Sequence, residues 1–389
     1  MATPTLIVAG ISARLMAEAA ARDGYRVIAL DAFGDLDTRR ASAAWLSIAR
    51  PDALSIDGSL LLQTLAARAR ERGVIGWVAG SGFDHAPLWL EQAAERLPLL
   101  GTAPAALRAL RDPLKWFPLL ARLGLAHPPT RFELPAEGVD RSGWLVKDLH
   151  ASGGWSVRPA EGATRLADSE CVQRELLHAT PISALFVADG QRAVLVGCQR
   201  QLVTTVGALR HVYAGVIGPI VLAPRVLAAI ERALAQLVPA TQVRGLASLD
   251  LLVTDEADEQ PIRVLELNAR PPGSLALYPH CPLMRAHVDA CRGELPSAAM
   301  LREGSARGGG AELRGLEIVY ARRRVRIGTR AAQDLAARDD AHDLPAAGQS
   351  FDAGQPIASL SARGDDVGAV RAALARSREA LLADLENPE

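Results

Sequence analysis

The stretch VLELNARPPGS, Val264 to Ser274, decides how the rest of this chain is read. Its first residues read as a strand, and side chains in a strand alternate with period two, so Glu266 and Asn268 fall on one face. Two oxygen-bearing groups spaced i, i+2 suit a hard cation such as Mg²⁺, which takes few protein oxygens and fills its shell with phosphate and water. A second acid, Asp250, lies in the preceding apolar run SLDLLV. The acidic, turn-forming segment between the two runs predicts a hairpin, which would bring Asp250 beside Glu266. Both acids have apolar neighbours, where an unpaired carboxylate is costly. A metal ion removes that cost. So does a structural salt bridge from Glu266 to Arg270 or Arg263, and both readings stand at this point.

Working outward, the stretch LVKDLHASGGWSV, Leu145 to Val157, carries the next signal. Of the 43 Lys plus Arg residues only Lys115 and Lys147 are lysines, and asparagine occurs only at Asn268 and Asn387. A strand delivers Lys147, and Ser152, Gly153 and Gly154 follow it. Glycines let backbone N–H groups approach an anion closely, serine adds a hydroxyl, and an ammonium group is a compact charge suited to phosphate oxygens. Neither GxxxxGK[ST] nor GxGxxG is present, and a plain turn is the alternative for an SGG loop.

The 389 residues suffice for two or three domains. Hydrophobic residues make up 49% and charged residues 22%, the balance of a globular protein, and the net charge of -1 provides no field for nucleic acid or an anionic membrane. Cys171, Cys198, Cys281 and Cys291 form no CxxC pair, so reduced thiols and a cytoplasmic protein are expected. TLIVAG is too short for a signal peptide, and no window approaches the roughly 18 apolar residues of a membrane span.

Residues 1–103 alternate strand and helix signals: TLIVAG, a helix capped by Ser12 and ended by Gly24, then YRVIALD and VIGWVAGSGFD. This order predicts a doubly wound α/β domain. Ligands in such sheets bind at the carboxyl ends of strands, which nominates Ser12, Asp31, Ser81 and Asp84 as substrate contacts, with caps and turn formers as the alternative. From Pro104 a helical region is interrupted at Pro113 and Pro118. Hairpins follow, one around Asp189-Gly190, with an amphipathic helix over Val221 to Leu237. The stretch Gly304 to Glu312 reads as a linker. Short strands and a final helix, Val367 to Leu385, close the chain.

The order Lys115, Lys147 with its glycine loop, QREL, Asp250, and Glu266-x-Asn268-x-Arg270 resembles the ATP-grasp superfamily of ligases over roughly Leu97 to Leu283. The resemblance implies a mixed α/β and α+β architecture: a pre-ATP-grasp α/β domain over 1–103, a two-subdomain grasp over 104–303 hinged near 173–176, and a β-rich C-terminal subdomain over 313–389 similar to that of biotin carboxylase. A free-standing β-rich module is the alternative for this last part. By the same resemblance, Lys115 and Lys147 bind ATP, Ser152, Gly153 and Gly154 close over its β- and γ-phosphates, and Gln173 and Glu175 meet the adenine edge. Asp250, Glu266 and Asn268 hold Mg²⁺, with Mn²⁺ as an alternative, and Arg270 steadies the transferring phosphoryl group. LNARP replaces the more usual NPRP, and HATPIS stands where many members carry an acidic ribose ligand. A general base is not visible; His150 and His211 are the candidates, with ordinary polar roles as the competing reading, and the patch His211 to Pro219 is a further candidate for substrate contact.

The implied reaction joins a small-molecule carboxylate to an amine through an acylphosphate, with no nucleic acid or membrane partner. The predicted carboxylate-amine ligase branch related to biotin carboxylase includes members in tetrahydromethanopterin or methanofuran synthesis. Members of the superfamily are often homodimers. A carboxylase or kinase-like variant and a non-catalytic nucleotide-binding protein are the rival readings.

Overall fold

The computed structural model describes residues 3–50, 53–83, 87–136, 138, 140–254, 259–301 and 312–386. Among these residues the first sheet is parallel and four-stranded, in the order Ala44–Ser47, Arg26–Asp31, Thr5–Ala9, Val74–Ala79. The central strand Thr5–Ala9 is buried along its whole length, as its unbroken apolar run requires. Helix Arg14–Arg22 follows, but Ser12 does not cap it. The N-cap is Ala13, whose N–H donates to Asp31 Oδ2 at 3.0 Å from the neighbouring strand. A tertiary carboxylate therefore does the work expected of a local hydroxyl.

Helices Pro104–Arg111 and Pro113–Arg122 come next. Pro113 opens the second helix, and the Asp112 side chain caps it by accepting from Leu114 N at 2.9 Å. The interruption expected at Pro118 does not occur, because burial of Trp116, Phe117 and Leu120 on the helix's inner face offsets the lost backbone bond.

A small antiparallel sheet runs in the order Thr130–Arg131, Glu170–Arg174, Trp144–Asp148, Arg158–Pro159. The large sheet has eight strands: Ile262–Asn268, Arg244–Val253, Thr180–Asp189, Ala193–Val206, Leu209–Ile220, Leu313–Tyr320, Pro356–Gly364 and Ala341–His342. Helix Pro224–Thr241 covers one face, packing Val226, Ile230, Leu234 and Leu237 among Ile182, Phe186 and Leu249.

The C-terminal strands are not a free-standing module, because they continue this sheet. Gly215 pairs with Glu317, and a side chain at Gly215 (φ +138°) would lie 1.9 Å from the Leu316 carbonyl oxygen. Helix Val367–Glu386 packs Val370, Leu374 and Leu381 behind the continuation. The same region also grips the first domain: Leu36 N donates to Leu344 O at 3.0 Å, and the Asp37 carboxylate accepts from Asp343 N and Leu344 N at 2.8 and 3.1 Å. The glycine-rich linker, apart from Glu312, lies outside the described residues.

Candidate active site

Strands Arg244–Val253 and Ile262–Asn268 pair antiparallel, with Asp250 opposite Glu266 and Ser248 opposite Asn268. The strand period then turns Asp250, Glu266 and Asn268 into one cavity of about 1720 Å³ that lies between the parallel sheet, the small sheet and the large one. Asn268 Nδ2 donates to Asp250 Oδ2 and to Glu266 Oε1, each at 3.0 Å. The two carboxylates thus converge on a single point. Ser183 Oγ donates to Asp250 Oδ1 at 2.7 Å from the strand on the other side.

Cations surround this acid pair. Lys147 Nζ, delivered by the small sheet, lies 3.3 Å from Glu266 Oε2. Arg111 is buried at the end of its helix; it donates to Asn268 Oδ1 at 2.9 Å and approaches Glu266 Oε2 at 4.0 Å. Arg270 reaches Asn268 Oδ1 at 3.5 Å. Burial alone would push both acids up. At Glu266 the charges of Lys147 and Arg111 overcome burial and pull the carboxyl down to about 2. At Asp250 burial and the Glu266 charge prevail over the Ser183 and Gln201 hydrogen bonds and raise it to about 6. One acid is firmly ionised, and its neighbour gives up its proton less readily than a free carboxyl, so that a further cation would favour its charged form.

The structure corrects the expectation for Lys115. Its side chain is 66% exposed and pairs with Asp112 at 3.1 Å, away from the cavity lining. The extended residue Asp112 breaks the helical phase, so the second helix turns Trp116, Phe117 and Leu120 inward and Lys115 outward. Arg111, just before the break, faces the acids instead. Sequence reading missed it because arginine is this chain's default cation, although its place directly before Asp112-Pro113 was a usable signal.

The glycine loop lines the same cavity. Gly153 (φ +67°) and Gly154 (φ +75°) adopt left-handed conformations, and Tyr213 N donates to Gly153 O at 2.8 Å. A side chain at Gly154 would lie 1.9 Å from the His211 carbonyl oxygen. The loop is therefore laid against strand Leu209–Ile220 and needs glycine to lie there. Ser152 lines the cavity beside it. Gln173 is buried and donates to Thr130 Oγ1 at 3.3 Å, while Glu175 lies 3.2 Å from His211 Nε2 and 3.7 Å from Arg210. Gln173, Glu175, His150, His211 and Arg270 all border the cavity.

Of the substrate candidates in the first domain, Ser12 and Ser81 line the cavity. Asp31 is committed to the fold, accepting from Ala13 N, Gly34 N and Trp45 Nε1 at 3.0, 2.9 and 2.7 Å. Asp84 lies outside the described residues.

Among the described residues no three His, Cys, Asp or Glu side chains gather in a metal-binding group. The donor set is two carboxylates and one amide. It fits a hard cation whose remaining ligands are phosphate and water, because Asp250 and Glu266 already converge where Asn268 Nδ2 now sits. Nor does any helix among the described residues have the length and apolarity to cross a membrane.

Residues 111–274 match the family model described as the ATP-grasp domain. The fold is similar to that of the biotin carboxylase from Campylobacter jejuni, solved as a β,γ-ATP complex, at 14% identity and a TM-score of 0.69, covering 98% of this chain and 95% of that one. It is similar to the L-amino acid ligase from Bacillus licheniformis at 15% identity and a TM-score of 0.66, covering 99% and 98%. The N5-carboxyaminoimidazole ribonucleotide synthetase from Thermotoga maritima is similar at 12% identity and a TM-score of 0.63, covering 97% and 98%. No curated protein sequence matches the chain.

Proposed function

We propose that this chain, whose residues 111–274 match the ATP-grasp domain, is an ATP- and Mg²⁺-dependent ligase that joins a carboxylate to an amine through an acylphosphate. The observation that carries this reading is the convergence of Asp250 and Glu266 on one point, with Lys147 3.3 Å from Glu266, inside a cavity lined by the glycine loop.

Asp250, Glu266 and, by rotation of its amide, Asn268 would hold the metal ion, which when bound neutralises phosphate charge. Lys147 is placed to meet phosphate oxygens, with Glu266 positioning its ammonium group. The backbone at Ser152, Gly153 and Gly154 provides N–H groups at the cavity wall for the outer phosphates. Arg270 is fixed near Asn268 and faces the same space, where it can balance charge on the γ-phosphoryl group as the substrate carboxylate oxygen attacks phosphorus and ADP leaves. The amine then attacks the acyl carbon and inorganic phosphate departs. The walls hold the acylphosphate away from water in the interval. Gln173 and Glu175, on the small sheet and just beyond it, line the cavity and would meet the adenine edge. Arg111 is a positioning residue that holds Asn268 and sets the charge of Glu266.

ADP release measured against panels of carboxylates and amines tests the proposal; the one-carbon cofactor setting suggested by the resemblance supplies some of those candidates. ADP formation that needs both an acid and an amine supports it. Turnover that needs bicarbonate instead, or nucleotide binding without turnover on any pair, contradicts it.

A further inference from the structure

One carboxyl in the cavity has no role in the nucleotide site. Asp35 follows the turn after strand Arg26–Asp31 and precedes the short helix Leu36–Ala41. It is 5% exposed, its side chain makes no capping bond to that helix, and it lines the cavity alongside Ser12, Phe33 and Ser81. Nearby carboxylates are already engaged. Asp31 accepts three N–H groups from the fold, and Asp37 receives the backbone of Asp343 and Leu344. Arg14, the buried cation of this corner, is held by Asp343 at 2.7 and 3.0 Å, by Glu18 at 3.2 Å and by Asp37 at 3.5 Å. Asp35 thus faces the cavity with carboxylates behind it and its nearest arginine committed elsewhere.

Such a group is poorly placed for stability. Burial, followed by the charges of Asp343, Asp31 and Asp37, raises it to about 9, with Arg14 opposing only in part. A buried acid with no hydrogen-bond partner is a defect in a scaffold but a recognition element if a donor-rich cation arrives to complete it.

We propose that Asp35 receives a cationic group, an ammonium or a guanidinium, carried by the substrate that supplies the amine, with the hydroxyls of Ser12 and Ser81 beside it. This deepens the ligase reading above and rests on it for the identity of the cavity. The nucleotide end of the cavity carries Lys147 and Arg270, whereas this end carries Asp35 and Asp343 with Arg14 already paired to Asp343, so the two substrates would be oriented by charge: the carboxylate toward the cations and the cationic acceptor toward the first domain.

The test uses the full chain and its Asp35→Asn and Asp35→Ala variants. Putrescine, cadaverine, agmatine and glycinamide are titrated by calorimetry, with 1,4-butanediol, 1,5-pentanediol and acetamide as neutral counterparts, with and without saturating MgADP. At least one cation should bind the wild type tenfold or more tightly than its neutral counterpart, and both variants should lose that binding by tenfold or more. Because the Asp35 side chain makes no hydrogen bond to the described residues that its removal would break, both variants should also melt at or above the wild-type temperature. The inference is overturned if none of the four cations binds, if Asp35→Asn binds them as well as wild type, or if both variants melt well below it. Failure of MgADP to bind the wild type would instead count against the nucleotide reading; the titrations without nucleotide still decide the role of Asp35.

Discussion

Replacing Asp250 with asparagine should stabilise the metal-free protein at neutral pH while removing its response to Mg²⁺. Asp250 is half-buried 16 positions from Glu266 in sequence but directly opposite it across the hairpin, and burial together with the Glu266 charge raises it from 3.8 to about 6. The native state therefore binds more protons than the unfolded chain between those values. Stability gained from this group rises as pH falls through that window, and the cost of ionising it is fully present above the folded value. Two pKa units at about 1.4 kcal/mol each give a cost on the order of 3 kcal/mol at pH 8. Asparagine keeps the shape and can still accept from Ser183, so it removes the charge repulsion and loses chiefly the bond that Asp250 Oδ2 accepts from Asn268 Nδ2, worth about 1 kcal/mol. Urea denaturation of wild type and Asp250→Asn in chelator, from pH 8 to pH 4, should show the variant ahead by about 2 kcal/mol at pH 8 and behind by about 1 kcal/mol near pH 4. Adding Mg²⁺ with ADP should then stabilise the wild type alone. A variant less stable than wild type at pH 8, or a gap that does not change with pH, would refute the reasoning.

Other perturbations follow from the same geometry. Arg111→Met should cost about 1.5–3 kcal/mol in urea unfolding, since it strips a charge-assisted bond from Asn268 and a cation from Glu266, and it should weaken MgADP binding in calorimetry. Gly154→Ala should cost more than about 1 kcal/mol, because the left-handed backbone and the His211 carbonyl at 1.9 Å both exclude a methyl group; limited proteolysis should then cut the 150–157 loop faster. Lys115→Ala should change stability by less than about 0.5 kcal/mol and leave MgADP affinity at the wild-type value, as expected for an exposed lysine paired with Asp112.

What the sequence disclosed follows from how locally each feature is encoded. Strand alternation alone placed Glu266 and Asn268 on one face, and the acidic turn segment was enough to pair their strand with that of Asp250. The parallel first sheet was legible from its unbroken apolar strands, though the short strand Ala44–Ser47 was too brief to signal itself. Features that depend on distant partners were hidden. Asp31 caps a helix begun 18 residues earlier, and Asp37 holds a segment 306 residues away, so neither role has a local pattern. The continuation of the large sheet by Leu313–Tyr320 is equally non-local. Lys115 misled for a compositional reason: rarity drew attention to lysine, whereas Arg111, one of many arginines, reaches the acids because of a break in helix phase at Asp112.

The most direct test of the central claim is calorimetric titration of a non-hydrolysable ATP analogue, with Mg²⁺ and with chelator, into wild type, Lys147→Met and Glu266→Gln. The geometry predicts Mg²⁺-dependent binding to the wild type, tenfold or greater weakening by Lys147→Met in either condition, and loss of the Mg²⁺ dependence in Glu266→Gln. Equal affinities across the three proteins, or a Mg²⁺ dependence that survives Glu266→Gln intact, would contradict the assignment of this cavity to ATP and its cation.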